Sequence, residues 1–241
     1  MIVEICANSF DSALAAKLGG ATRIELCTAL SLGGLTPSHG LIEKVMQTLD
    51  IPVHVLIRPR GGDFTYSERE LDIMKRDISY CKNLGCAGIV SGVLTTERNI
   101  DILATKQLME ASRDLDFTFH RAFDWVKNPT ESLQQLTELE VQRILTSGQE
   151  SKAIDGLGLL KNLLQAAQGN VEIMPGSGIN SNNALKFKEA GFASIHLSAT
   201  KKPTPSLKEN TATAVQSSFF GEDIEGVSDL ETIQYIVDLV S

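Results

Sequence analysis

Apolar and polar positions alternate in two different rhythms along this chain. Short runs rich in β-branched residues fall at 2–7, 23–30, 52–60, 88–94, 117–124, 143–148, 171–179 and 194–200, and they predict eight strands. Between them lie segments such as DSALAAKLG, SERELDIMKRDISYCKNLG, ESLQQLTEL and SNNALKFKEAG, whose apolar residues recur at three and four positions and predict helices. Gly19, Gly85 and Gly191 follow three of these segments and are expected to close them in the left-handed conformation. Strict alternation of strand and helix implies parallel strands joined by right-handed crossovers. Eight such units in 241 residues match a single (β/α)8 TIM barrel spanning 1–241.

The rival is an open, doubly wound sheet, whose central strands are covered on both faces and read as apolar throughout. Here Glu4, Glu25, His54, Thr118, His120 and His196 interrupt their strands on one side. A barrel accommodates that pattern, because one side of each strand faces a lumen that turns polar near its mouth. After the eighth strand, 201–227 reads as a long polar loop, expected to act as a lid or subunit contact anchored by Phe219 and Phe220; a terminal helix follows at 228–241.

Composition narrows the classes of function. A 42% hydrophobic content supports one full core, and a formal charge of −8 with pI near 5.1 argues against nucleic acid or an anionic membrane as the main partner. No apolar run approaches bilayer length, and the first strand begins at Ile2, so neither a membrane span nor a secretory leader is expected. A cytoplasmic location with reduced thiols follows as the expectation for Cys6, Cys27, Cys81 and Cys86.

Two strands then carry the same motif. IVEICA and RIELCTAL each place a cysteine two residues after a glutamate, and side chains two apart on a strand share a face. Glu4 with Cys6, and Glu25 with Cys27, therefore point into the lumen of neighbouring strands near the carboxyl ends, where such barrels place their sites. A buried cysteine is commonly just a small hydrophobe, and that reading stands beside a metal site. Two soft thiolates in a reducing compartment would select Cu(I) before Zn(II). Cys81 and Cys86, on or just after a helix, read as structural.

Other mouth residues suggest an anion. In IRPRGGDF, Arg58 and Arg60 share the phase of His54 and could clamp a carboxylate or phosphate, or equally form ion pairs with Glu4, Glu25 or Asp63. The turn Gly176-Ser177-Gly178 before a helix capped by Asn180 or Ser181 offers backbone amides to a phosphate, or is a plain tight turn. His196 and Ser198 share one side of the last strand and could complete the same pocket. His120, in FTFHRAFD, is either a hydrogen-bonded core residue or, with Glu25, a general acid/base.

Taken together, VEICANS, GGATRIELCTALSLGGLTPS, IPVHVLIRPRGGDF, FTFHRAFD, RILTSG and IMPGSGI resemble the CutC family in order along most of the chain. The resemblance implies a TIM barrel, a cytoplasmic role in copper homeostasis, a homodimer or homotetramer, and Cu(I) held by Cys6 and Cys27. The family often has glycine where this chain has Ser177. The second function class is a barrel enzyme using Glu25 or His120 on a small phosphorylated or carboxylated metabolite, held by Arg58, Arg60 and the turn at 176–178.

Overall fold

The computed structural model describes residues 1–201 and 226–241. The expected lid and its Phe219-Phe220 anchor lie outside the described residues. Eight parallel strands run in the order β7-β6-β5-β4-β3-β2-β1-β8, and a parallel bridge between Gly176 and His196 brings β7 against β8, so the sheet curls into the predicted (β/α)8 barrel. The strands are β1 (Ile2–Ala7), β2 (Arg23–Leu26), β3 (Val53–Leu56), β4 (Gly88–Ser91), β5 (Asp116–Phe119), β6 (Arg143–Thr146), β7 (Glu172–Pro175) and β8 (Ser194–Leu197). The alternating helices are α1 (Phe10–Leu18), α2 (His39–Thr48), α3 (Glu68–Asn83), α4 (Ile102–Ala111), α5 (Pro129–Glu138), α6 (Leu157–Ala167), α7 (Ala184–Glu189) and α8 (Leu230–Val240).

The helix ends follow local chemistry. Ser9, Ser38, Ser67, Asp101, Asn128 and Asp229 each accept a backbone N–H in the first turn of the following helix, replacing bonds that a helix start otherwise lacks. Ser67 and Glu70 form a reciprocal capping box. Gly85 and Gly191 adopt the expected left-handed conformation, with φ of 78° and 91°. Gly19 does not: its φ is −77°, and the neighbouring Gly20, at 81°, makes the reversal.

The main core lies between the barrel wall and the helices. Val3, Ile5, Ile24, Leu26, Val53 and Val55 alternate outward from the first three strands and are almost fully buried with Ile42, Val45 and Met74 from the helices. Several strands end earlier than their β-rich composition predicts. β2 stops at Leu26 because the chain reverses through left-handed Ala29 and a short 3-10 helix at Leu30–Leu32, with Thr28 bridging Leu35. β5 stops at Phe119, where His120 begins the 3-10 helix Arg121–Trp125. β9 (Thr200–Lys201) and β10 (Val227–Ser228) pair antiparallel beyond β8. Among the described residues, no helix is long and apolar enough to cross a membrane.

Candidate functional site

The register of β1 and β2 decides what the repeated motif becomes. Glu4 lies opposite Arg23 and Cys6 opposite Glu25, so the two acid–thiol pairs are offset by two residues. Such stagger is inherent in closing a sheet into a barrel. Its consequence is that Glu25 sits beside a thiol and Glu4 beside a cation.

Cys6 Sγ lies 3.5 Å from Cys27 Sγ and 3.5 Å from the Glu25 carboxylate. Leu56, Val90 and Leu30 pack around the sulfurs. Gly34, with φ of 88°, lets the following loop close over this corner, where a Cβ would stand 2.6 Å from Leu56 Cδ2. The Cys27 bond and burial both push the Cys6 thiol well up, aided by the Glu25 charge. Burial raises Glu25 as well, with Glu4 adding to the shift. Cys6, Glu25 and Cys27 form one group able to hold an ion, and Glu4, Glu25 and His196 form a second.

Below the thiols, Glu4 is fully buried between Arg23, which donates to it through Nε, and His196, whose Nδ1 is 2.8 Å away. Burial alone would raise Glu4, yet the His196 bond and charge, with Arg23 and His54, hold it well below the usual carboxylate range. Burial opposes the His196 imidazolium, but Glu25, Cys6 and Glu4 outweigh it and raise His196 well above its ordinary value. Lower still, Arg143 bonds Thr118, Asp116 and Glu172. Sequence reasoning named Glu4 and His196 but did not single out Arg23 and Arg143. Their phase was visible, since each begins a strand and points inward with the acids.

A cavity of about 540 Å³ opens above this floor, within the size range of small-molecule sites. Cys6, Glu25, Arg58, His120, Ser177, Gly178, His196 and Ser198 line it; Cys27, Arg60 and Gly176 do not. Arg58 reaches inward as its phase predicts, but three backbone carbonyls, those of Leu32, Gly34 and Gly62, hold its terminal nitrogens. The expectation that Arg60 helps clamp an anion is corrected: its guanidinium turns outward, 2.5 Å from Glu70 and 3.2 Å from Asp63. The strand has ended by Leu56, so strand phase no longer fixes its direction.

In the turn at 176–178, one amide and the Ser177 hydroxyl are already engaged. Gly176 N–H already bonds Thr146 O, and Ser177 Oγ donates to Ser151 O. The helix after it starts only at Ala184, with Asn183 at its entry, while Asn180 begins the preceding turn, its Oδ1 accepting the Asn182 N–H and its carbonyl the Ala184 N–H, each at 2.9 Å. Ser198 Oγ stands 3.4 Å from Thr200 Oγ1.

His120 enters the cavity from a turn rather than a strand. Its Nδ1 accepts the Ala122 N–H at 3.2 Å, and Gly92 leaves room for the ring, since a Cβ there would lie 2.7 Å from that nitrogen. Burial, then Arg58 and Arg121, lower His120 to about 3, so it is neutral near pH 7. Arg121 also lines the cavity because the chain has turned; Asp124 holds it at 2.8 Å. Asp124 also accepts from Thr146, Ser147 and Gln149, which fixes the loop after β6, a role that sequence phase did not reveal. Cys81 and Cys86 are buried away from this mouth, as their position beside α3 predicts.

Fold and site together define a parallel (β/α)8 barrel with a thiol–carboxylate cluster at the carboxyl ends of its first two strands. The chain belongs to the CutC family, whose model matches residues 1–201. It is 45% identical to the human copper homeostasis protein cutC homolog over 90% of this chain and 80% of that protein. It is 44% identical to a family protein CutC of Enterobacter sp. (strain 638), over 96% and 97% of the two chains. The CutC crystal structure from Streptococcus agalactiae superposes with a TM-score of 0.79 at 34% identity, covering 82% of this chain and 98% of that one. Phosphoribosylanthranilate isomerase from Pyrococcus furiosus, at 12% identity and a TM-score of 0.58, shares the fold alone.

Proposed function

We propose that this chain serves copper homeostasis by binding Cu(I) between Cys6 and Cys27 near the barrel mouth. The observation that carries the reading is the 3.5 Å separation of the two sulfurs. With metal–sulfur bonds of about 2.3 Å, two thiolates on a tetrahedral zinc stand about 3.8 Å apart, so little movement is needed for both to share one ion. Sulfur donors favour Cu(I) over harder divalent ions. The names of the relatives point to the same metal.

The surroundings fit a cargo site. Cys6 lines the cavity whereas Cys27 is fully buried behind it, so an ion would meet Cys6 first. The raised Cys6 thiol must lose its proton before it binds a soft ion, and Glu25 lies in contact with Cys6 to receive that proton. All these ligands come from one chain, so the site requires no second copy, although the family resemblance implies a homo-oligomer. A reducing, cytoplasmic setting suits free thiols.

Competition against a Cu(I) chelator tests the reading. The Cys6→Ser, Cys27→Ser double variant is expected to lose on the order of a hundredfold or more in affinity, beyond the effect typical of outer-shell partners. An affinity equal to that of the parent would move the metal elsewhere.

A further inference from the structure

The cavity wall carries a charge that the thiols do not use. Arg58 is 4% exposed, its terminal nitrogens donate to neutral carbonyl oxygens, and the neutral Tyr66 hydroxyl lies beside its guanidinium. Among the described residues no carboxylate pairs with it. Phe64 covers one face, its ring centroid 4.9 Å from the guanidinium carbon. The nearby Tyr66 hydroxyl is pushed up to about 12 by burial, so it supplies no countercharge. A buried cation of this kind is costly unless an anion arrives.

His120, on the same wall, offers a matching donor. Because Nδ1 accepts the Ala122 N–H, the neutral ring carries its proton on Nε2, and that buried atom has no partner among the described residues. Arg58 Nε is likewise unpartnered, as is Glu25 Oε2. Buried polar atoms are ordinarily satisfied, and three orphans around one cavity mark a place for a polar ligand.

We propose that this cavity binds a small organic carboxylate, with the carboxylate group against the Arg58 guanidinium and His120 Nε2–H. One cation and one neutral donor match a single negative charge. A phosphate monoester brings more charge, and the turn at 176–178 supplies no helix N-terminus to meet it. Leu30, Leu56, Leu145 and Ile179 give the carbon skeleton of the ligand an apolar wall, and Glu25 Oε2 faces a hydroxyl or amine on it. This site does not rest on the copper reading, since its anchors are not the thiols.

Thermal shift of the metal-free protein with pyruvate, lactate, succinate and citrate tests the proposal, with inorganic phosphate and glycerol 3-phosphate as comparators. At least one carboxylate is expected to raise Tm saturably by mass action. The same compound should move the imidazole 15N resonance of His120 Nε2. Arg58→Lys and His120→Phe should each weaken binding on the order of tenfold to a hundredfold, as for loss of a charged hydrogen bond. Cys6→Ser, Cys27→Ser should retain it. Arg58 also ties three loop carbonyls, so His120→Phe and the parent resonance decide the matter if Arg58→Lys fails to fold. No saturable response to any of the four carboxylates overturns the proposal, as does a response to phosphates alone, binding undiminished in the folded variants, or its loss in the serine variant.

Discussion

The lower and upper halves of the lumen hold similar residue types and treat them differently. In the lower half, Glu4 lies between Arg23 and His196, and Arg143 joins Asp116, Thr118 and Glu172. Each acid there has a cation, and among the described residues only His54 Nδ1 is left without a partner. In the upper half, two thiols face each other beside Glu25, while Arg58 and His120 keep unpaired atoms. Paired charges fix a structure, whereas buried groups lacking partners hold interaction energy in reserve for a ligand. The difference separates the part of the barrel that maintains its shape from the part that can bind.

Breaking the lower network should have the largest effect. Arg23→Met leaves Glu4 with one cation and is expected to lower unfolding free energy by about 3–5 kcal/mol, the usual cost of stranding a buried charge. Denaturant unfolding measures it; a loss below about 1 kcal/mol would mean that this region is no more structural than the mouth.

Acid should act next. Burial, with Arg23 and Arg143 opposing Glu4 and Asp116, lowers His54 to about 4, and burial with Arg58 and Arg121 lowers His120 to about 3. The folded protein keeps both rings neutral while the unfolded chain takes up protons below about pH 6.5, so stability falls as pH drops from there towards 3–4. Each ring accounts for roughly 3 kcal/mol at most by pH 4. His120→Phe should flatten the slope of stability against pH; an unchanged slope would show that this ring titrates as in water.

Arg60→Ala should do least. Its guanidinium is 38% exposed and pairs with Asp63 and Glu70 outside the cavity, so the expected loss is under about 1 kcal/mol, with no change in Cu(I) or carboxylate affinity. A clear loss of ligand affinity would restore it to the mouth.

How much of this was legible in sequence follows the reach of strand periodicity. Two-residue alternation correctly set Glu4, Cys6, Glu25 and His196 inward, because those positions lie within hydrogen-bonded ladders. It failed beyond the ladder end at Arg60, where a turn redirects the chain. The offset between β1 and β2 was also hidden, since a repeated motif does not reveal barrel stagger; only register shows that Glu25 neighbours Cys6. The role of Asp124 was hidden because a lone acid in a turn has no sequence signature for its four backbone and hydroxyl donors.

X-ray absorption at the copper edge of protein loaded with one equivalent of Cu(I) tests the central claim most directly. Two sulfur scatterers are expected in the parent and only one in Cys27→Ser. A spectrum without two sulfurs, or one unchanged by that substitution, would contradict a shared ion between residues 6 and 27.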